Sequence, residues 1–445
     1  MFFFAIPTRP AVWRLALPLL LALLCAAVLL HAAPAQAQPR ARPQVEVFHW
    51  WVSGGERASM DVIQAHIERQ GIGWKEGSAV GSGTARYTDV LQARVKAGRI
   101  PTAAQMIGYD IHDWARRGLL QNLSDVAERE EWDAVVPYDI QHLSKWQGQW
   151  VAAPFNLHST NWLWVNQAVA ARLGVVKPPD TWPDLIALLE QARAAGVVPL
   201  AMGREAWEHT LLFESVAVGA GGAGFYRKAF IDLDASVLSE PLLLKIFARM
   251  RQLAGYLDRG YPQRRWDQAT DMVRRGQALL QVQGSWVNGE FTAHALQPGR
   301  DYQCWRFPDT QGVVLFNSDQ FIFFKQPPAQ QAAQQALAST LMRPALQAEV
   351  NVRSGAAPAR VDVPRSAFNA CGRRAISDMR ATNMQRTLMG SVAMGNAHPA
   401  PIKTAVYQVV SRHLRGALSD AEAAAQLRLA LRPPILGATA AATAP

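Results

Sequence analysis

The sequence predicts an α/β protein built as two lobes with mostly parallel sheets. Short β-prone runs alternate with amphipathic helical stretches along the chain, the pattern of strands and helices layered on one another. About 408 residues follow an N-terminal leader, too many for one small core and enough for two lobes of ordinary size. No repeat with a period of about 20–50 residues competes with that alternation.

The leader occupies residues 1–37. Arg9 and Arg14 precede an apolar run, Leu15 to Leu30, which leads into the small-residue cleavage pattern Ala35-Gln36-Ala37. No charged stop-transfer cluster adjoins the run, and Leu23-Leu24 before Cys25 is too bulky for a lipid-attachment box. The mature chain is therefore expected to begin near Gln38, outside the cytoplasm.

VEVFHWW (Val45 to Trp51) is rich in β-branched and aromatic residues and reads as a strand. Ser53 and Glu56, three apart beside Gly54 and Gly55, resemble a helix capping box, and Met60, Ile63 and Ile67 then share one helical face to about Gln70. In open α/β sheets ligands sit where such a strand gives way to such a turn. A helix from about Ala85 to Ala97 stops at Gly98, Thr102 to Ile107 is a short buried strand, and Ile111 to Leu120 is helical. Trp150 to Val165 is almost continuously apolar and β-prone. Pro178, Pro179 and Trp182-Pro183 open a helix through Ala195, and Val197 to Met202 is again a strand. Residues 207–219 and 240–256 are expected to be helical, Ala278 to Val282 a strand, Val313 to Lys325 a strand pair and Ala329 to Leu346 a helix. The Pro/Ala-rich tail, 433–445, is expected to be disordered.

Composition narrows the function. The formal charge of +10 falls to +8 without Arg9 and Arg14, but the basic residues are dispersed and no Lys/Arg block is interleaved with aromatics, so no nucleic-acid partner is expected. Beyond the leader no stretch reaches the ~18 apolar residues of a membrane span. Cys304 and Cys371 remain after processing, and an oxidising compartment favours one disulfide, with two buried thiols the alternative. No CxxC, HExxH, GxSxG or GxxxxGK[ST] motif occurs, so neither a metal, a cofactor nor a catalytic centre is expected. Glu56 and Asp319 could form a glycosidase pair, but any two distant acids qualify at this level.

Fourteen of fifteen tryptophans lie in the mature part. A sugar ring offers apolar C–H faces and a hydroxyl rim, so its site wants aromatic planes and planar polar groups. Trp50 and Trp51 close a strand beside Glu56, where either a cleft or the core could claim them. Asn156, His158, Asn161 and Asn166 punctuate PFNLHSTNWLWVN; they line a cleft or hold crossing strands together. Asp319 stands in VLFNSDQFIFF, where a carboxylate needs a partner: vicinal hydroxyls of a ligand or an internal arginine.

Taken in order, VEVFHWWVSGGE, LQARVKAGRIPTAAQ, PFNLHSTNWLWVN, WDQATDMVRRGQALLQVQGSWVNGEF, VLFNSDQFIFF and SGAAPARVDV before SAFNAC make a specific set. With them the whole mature chain resembles the periplasmic sugar-binding proteins of ABC importers, the extracellular solute-binding family 1, in its glucose-binding branch. The resemblance implies a two-lobe periplasmic binding protein fold (type II, maltose-binding-protein-like) with the ligand cleft between lobes. It places one lobe at 40–153 plus 315–348 and the other at 156–312 plus 352–432, both cysteines falling in the second. It implies no enzyme but a monomeric periplasmic receptor handing a sugar to an ABC permease at the inner membrane. A secreted carbohydrate-active enzyme, or a binder of a non-sugar solute feeding a transporter or sensor, is the alternative. By position it assigns ligand contact to Trp50, Trp51, Glu56, Gln105, Trp266 and Asp319, with Asn156 and His158 near the cleft. Three positions depart from the branch. Its lysine is replaced by Ser354 beside Arg353, a late histidine by Met394 with His398 four residues on, and another histidine by Ile107. The stacking frame is kept and charged donors are lost, so the ligand is still expected to be a carbohydrate, with glucose itself in doubt and affinity for it expected to be low.

Overall fold

The computed structural model describes residues 1–5, 42–79 and 85–432. The leader from residue 6 onward and the tail from 433 lie outside the described residues. The chain divides into two units, Met1–Arg42 and Pro43–Pro445, and every described element lies in the second.

Its strands are β1 (Gln44–His49), β2 (Gly73–Ser78), β3 (Ala103–Ile107), β4 (Lys145–Trp146), β5 (Gln149–Trp150), β6 (Ala152–Pro154) and β7 (His158–Ser159). They continue as β8 (Trp162–Asn166), β9 (Val198–Ala201), β10 (Ala278–Gln283), β11 (Tyr302–Arg306), β12 (Val314–Asn317), β13 (Asp319–Phe323) and β14 (Leu388–Gly390). The helices that shape the site are α1 (Gly54–Glu68), α2 (Ala206–Tyr226), α3 (Trp266–Arg274), α4 (Trp286–Ala293), α5 (Pro344–Ser354) and α6 (Ala370–Gln385).

Two larger sheets organise the unit: β2-β1-β3-β13-β6 and β11-β8-β10-β9. The first is covered by the apolar face of α1, where Met60, Ile63 and Ile67 are fully buried against Val45, Val47 and Phe48. The second carries its own core, in which Leu163, Val165, Leu200 and Leu279 meet Phe213 and Phe247. The sheets are mixed, which corrects the expectation of mostly parallel ones. β13 runs antiparallel to β3 and β6, and β8 antiparallel to β10 and β11. The reason lies in the connections: parallel neighbours need a crossover helix, whereas β13 follows β12 after Ser318 alone and enters the first sheet directly. The helix expected over 329–346 also breaks, at Arg343, because Pro344 restricts the residue before it to extended backbone.

Between the two sheets the chain crosses three times, side by side. The β6-to-β8 passage contributes β7, which pairs antiparallel with β12 from the second passage. The third passage follows α5, where Leu157 and Ala357 exchange backbone hydrogen bonds of 2.8 and 2.9 Å. α5 ends on Gly355 at φ +78°, and a Cβ there would stand 2.4 Å from the Ser285 carbonyl, so both conformation and space require glycine.

Cys304 on β11 and Cys371 on α6 form a disulfide, tying the second sheet to the helix that comes after the third passage. Replacing both cysteines by serine is expected to lower unfolding stability by about 2–4 kcal/mol, read as a reduced urea midpoint. An unchanged midpoint would show that the bridge adds nothing to the folded state.

Candidate functional site

The three crossings form the polar floor of a cavity. His158 comes from the first passage, Asn317 and Asp319 from the second, and Ser354 from the third. Trp50, Trp51 and Glu56 wall it from the first sheet's side; Trp207, Trp266, Trp286, Glu290 and Met394 wall it from the other. Its core is narrow, about 40 Å³, well below the ~300–1,000 Å³ of small-ligand pockets. Beyond Trp207 and Met394 a wider cavity of about 500 Å³ opens past Asp110, Lys403 and Tyr407.

The strand expected over Val45 to Trp51 ends at His49, and this decides the tryptophan pair. Inside a strand, neighbouring side chains must point to opposite faces. Past its end that alternation is lifted, and both indoles line the cavity with only 4% and 3% of their surface exposed. Trp50 lies edge-on to Tyr87 at 4.8 Å and Trp51 edge-on to Phe155 at 5.4 Å. Across the cavity Trp286 is the hub, near Trp207 (5.9 Å), Trp266 (6.5 Å) and His158 (5.3 Å), at steep angles in each case. Such edge-to-face contacts fix ring planes while leaving faces free.

Glu56 sits in the first turn of α1, where its Oε2 accepts from the backbone N–H of Val52 and Ser53 at 3.0 Å each. The Ser53 hydroxyl turns the other way and donates to Glu290 Oε1 at 2.7 Å, and the Gly55 N–H donates to the same oxygen. A carboxylate from α4 thus caps the N-terminus of α1, a favourable place for negative charge. The helices meet closely there: a Cβ on Gly55 would lie 2.8 Å from the Gly289 backbone. Burial pushes the Glu56 carboxyl up to about 7, opposed by the two backbone donors and reinforced by the like charge of Glu290.

Asp319 is the buried acid of the floor, 3% exposed. Its partners are amides, not the arginine that internal pairing would require: Gln105 Nε2 donates to Oδ1 at 2.8 Å and Asn156 Nδ2 to Oδ2 at 2.9 Å. Asn156 Oδ1 accepts from the Asp319 backbone N–H, so one side chain locks the first passage to the second. Asn156 Nδ2 also reaches His158 Nε2 at 3.3 Å, which makes that nitrogen an acceptor and leaves Nδ1–H to donate to Ser285 Oγ at 2.9 Å. Burial holds His158 down at about 3, so at neutral pH it is uncharged and its 3.6 Å approach to Asp319 is no ion pair. Burial lifts Asp319 to about 6, with the two amides opposing.

Of the residues singled out by sequence, eight line this cavity: Trp50, Trp51, Glu56, His158, Trp266, Asp319, Ser354 and Met394. Gln105 and Asn156 stand behind the wall, fully buried, and act through Asp319. His398 is a correction: it stacks on Tyr109 with 6.4 Å between ring centres, outside the cavity, so it does not stand in for the histidine that Met394 replaces. Arg353 is exposed and donates to the Glu349 carbonyl, so it does not replace the lysine lost at Ser354. Ile107 lines only the outer cavity. Sequence reading missed Trp207, Trp286, Glu290 and Asn317. Trp286 and Glu290 lie within the segment WDQATDMVRRGQALLQVQGSWVNGEF, one turn apart on α4, so their shared face was available as a signal.

Known proteins share this architecture. Residues 76–338 match the family described as "Bacterial extracellular solute-binding protein". A "probable sugar-binding periplasmic protein" of Brucella suis is 44% identical over 391 residues, covering 88% of this chain and 92% of that one. One of the same name from Rhizobium meliloti is 45% identical over 388 residues, covering 87% and 93%. Among solved structures, the solute receptor AcbH, described as having an exclusive preference for β-D-galactopyranose, aligns with TM-score 0.71 at 16% identity over 88% of this chain and 98% of its own. A chitin oligosaccharide binding protein aligns with TM-score 0.71 at 19% identity, covering 87% and 98%. A maltose-bound MalE3 of T. maritima aligns with TM-score 0.68 at 13% identity, covering 87% and 98%. At these identities the structural likeness shows a shared fold.

The raised Asp319 carboxyl sets a pH dependence. A folded-state value of about 6 against 3.8 unfolded stabilises the fold below the lower value, and that contribution is lost as pH rises through the higher one. Relative to Asp319→Asn, wild-type stability is expected to fall by up to about 3 kcal/mol between these two values and to stay constant above them. Denaturant titrations of both proteins across that window check it; parallel curves would show that Asp319 titrates as it does in the unfolded chain.

Proposed function

This chain belongs to the bacterial extracellular solute-binding proteins, and from that membership we propose that it captures a sugar in the periplasm and delivers it to an ABC permease at the inner membrane. The observation that carries the reading is the cavity wall: five indoles from both sheets' sides surround one polar floor. Indole faces match the C–H faces of a pyranose, and Asp319, Asn317 and Ser354 match its hydroxyl rim. The relatives named as sugar-binding and the receptors of galactopyranose and chitin oligosaccharide support the same class, a mono- or small oligosaccharide.

The reading assigns one lobe to 40–153 plus 315–348 and the other to 156–312 plus 352–432, with the three adjacent passages as the hinge. The narrow core of the cavity supports a hinge that opens to admit a ring and closes to bury it. Closure would set both lobes' outer surfaces in one arrangement, which the permease reads. The reading takes the receptor as a monomer, and cavity walls drawn from one chain support it. No helix among the described residues is long and apolar enough to cross a membrane.

Titration calorimetry of the mature protein against hexoses and oligosaccharides tests the proposal, and no binding across the panel would sink it. Trp266→Ala is expected to weaken binding of the sugar so identified at least tenfold, about 1.4 kcal/mol, and to reduce its tryptophan fluorescence response. An unchanged isotherm would make that indole a packing residue.

A further inference from the structure

The inner cavity is unbalanced in two respects. It is walled by five indoles and holds three carboxylates, Glu56, Glu290 and Asp319, while no lysine or arginine lines it among the described residues. Two cations outside it are engaged elsewhere: Arg353 is exposed and bonded to its own helix, and Lys403 lies in the outer cavity beside Asp110 at 3.4 Å. Two of its carboxylates also keep an oxygen free. Glu56 commits only Oε2 and Glu290 only Oε1 to the α1 N-terminus, so one carboxylate oxygen of each remains for a ligand. Trp286 Nε1 is a buried donor with no partner.

A sugar hydroxyl both donates and accepts, and a site for a neutral sugar is served best by donors and acceptors together. An ammonium only donates, carries the charge that two adjacent carboxylates lack, and is attracted to indole faces. Resting on the carbohydrate reading, we propose that the ligand is an amino sugar, free or within a small oligosaccharide, whose protonated amine faces Glu56 and Glu290 while its ring stacks among the indoles. The acceptor left on Asp319 and the donor of Trp286 then serve the remaining hydroxyls. The raised Glu56 carboxyl fits this arrangement, because a cation beside it would relieve both its burial and the like charge of Glu290.

The test is calorimetry of the mature protein at neutral pH with D-glucosamine, D-glucose and N-acetyl-D-glucosamine, and with the corresponding galactose and mannose series. In at least one series the free amine is expected to bind tenfold or more tightly than both neutral forms. In Glu56→Gln and in Glu290→Gln that ratio is expected to collapse toward one, since glutamine keeps the shape and an acceptor but not the charge. A neutral sugar binding as tightly as its amine, or a ratio that survives both substitutions, would overturn the proposal and leave the carbohydrate reading intact. Silence toward every sugar, aminated or not, would overturn both.

Discussion

A carboxylate buried without a cation constrains everything around it. Asp319 begins the strand that enters the first sheet from the second passage, and its charge is tolerable only because Gln105 and Asn156 turn their amides toward it. Asn156 belongs to the first passage and Gln105 to β3, so satisfying one acid pins two crossings and a central strand in register. His158, held neutral by the same burial, carries the network on to Ser285 at the start of α4. The polar floor is thus a single hydrogen-bonded object, and the walls stand where it places them.

The walls obey different physics. Their indoles are set by edge-to-face contacts among themselves and with Tyr87, Phe155 and His158, which hold ring planes without covering every face. The two sides also meet directly through Glu290, which caps α1 from α4 across the close contact of Gly55 and Gly289. That contact joins the two sides of the cavity at a helix terminus, where the Ser53 hydroxyl and the Gly55 N–H are both satisfied by Glu290.

Much of this was legible along the chain, and its limits have physical reasons. The alternation of apolar runs located β1, β3, β9, β10 and the β12–β13 pair within a few residues, because hydrophobic periodicity reports burial locally. The direction of strand pairing was not local. It depended on whether the chain returns through a helix or passes straight between sheets, and Ser318 alone gives no sign of that. Asp319 announced itself as an acid in an apolar run, yet whether an arginine, an amide or a ligand met it was decided by residues more than a hundred positions away.

By itself the sequence determined the α/β class, the tryptophan-rich character, the two cysteines available for a bridge, and the family signature spread over six segments. These are properties of local pattern and composition. Only the tertiary structure decided that Trp50 and Trp51 face the same way, that Trp207 and Trp286 complete the wall, and that Glu290 joins Glu56 with no cation among the described residues lining the cavity. It also removed His398 from the site. Those outcomes depend on which side chains three crossing segments bring together, and spacing along a chain carries no record of distance across it.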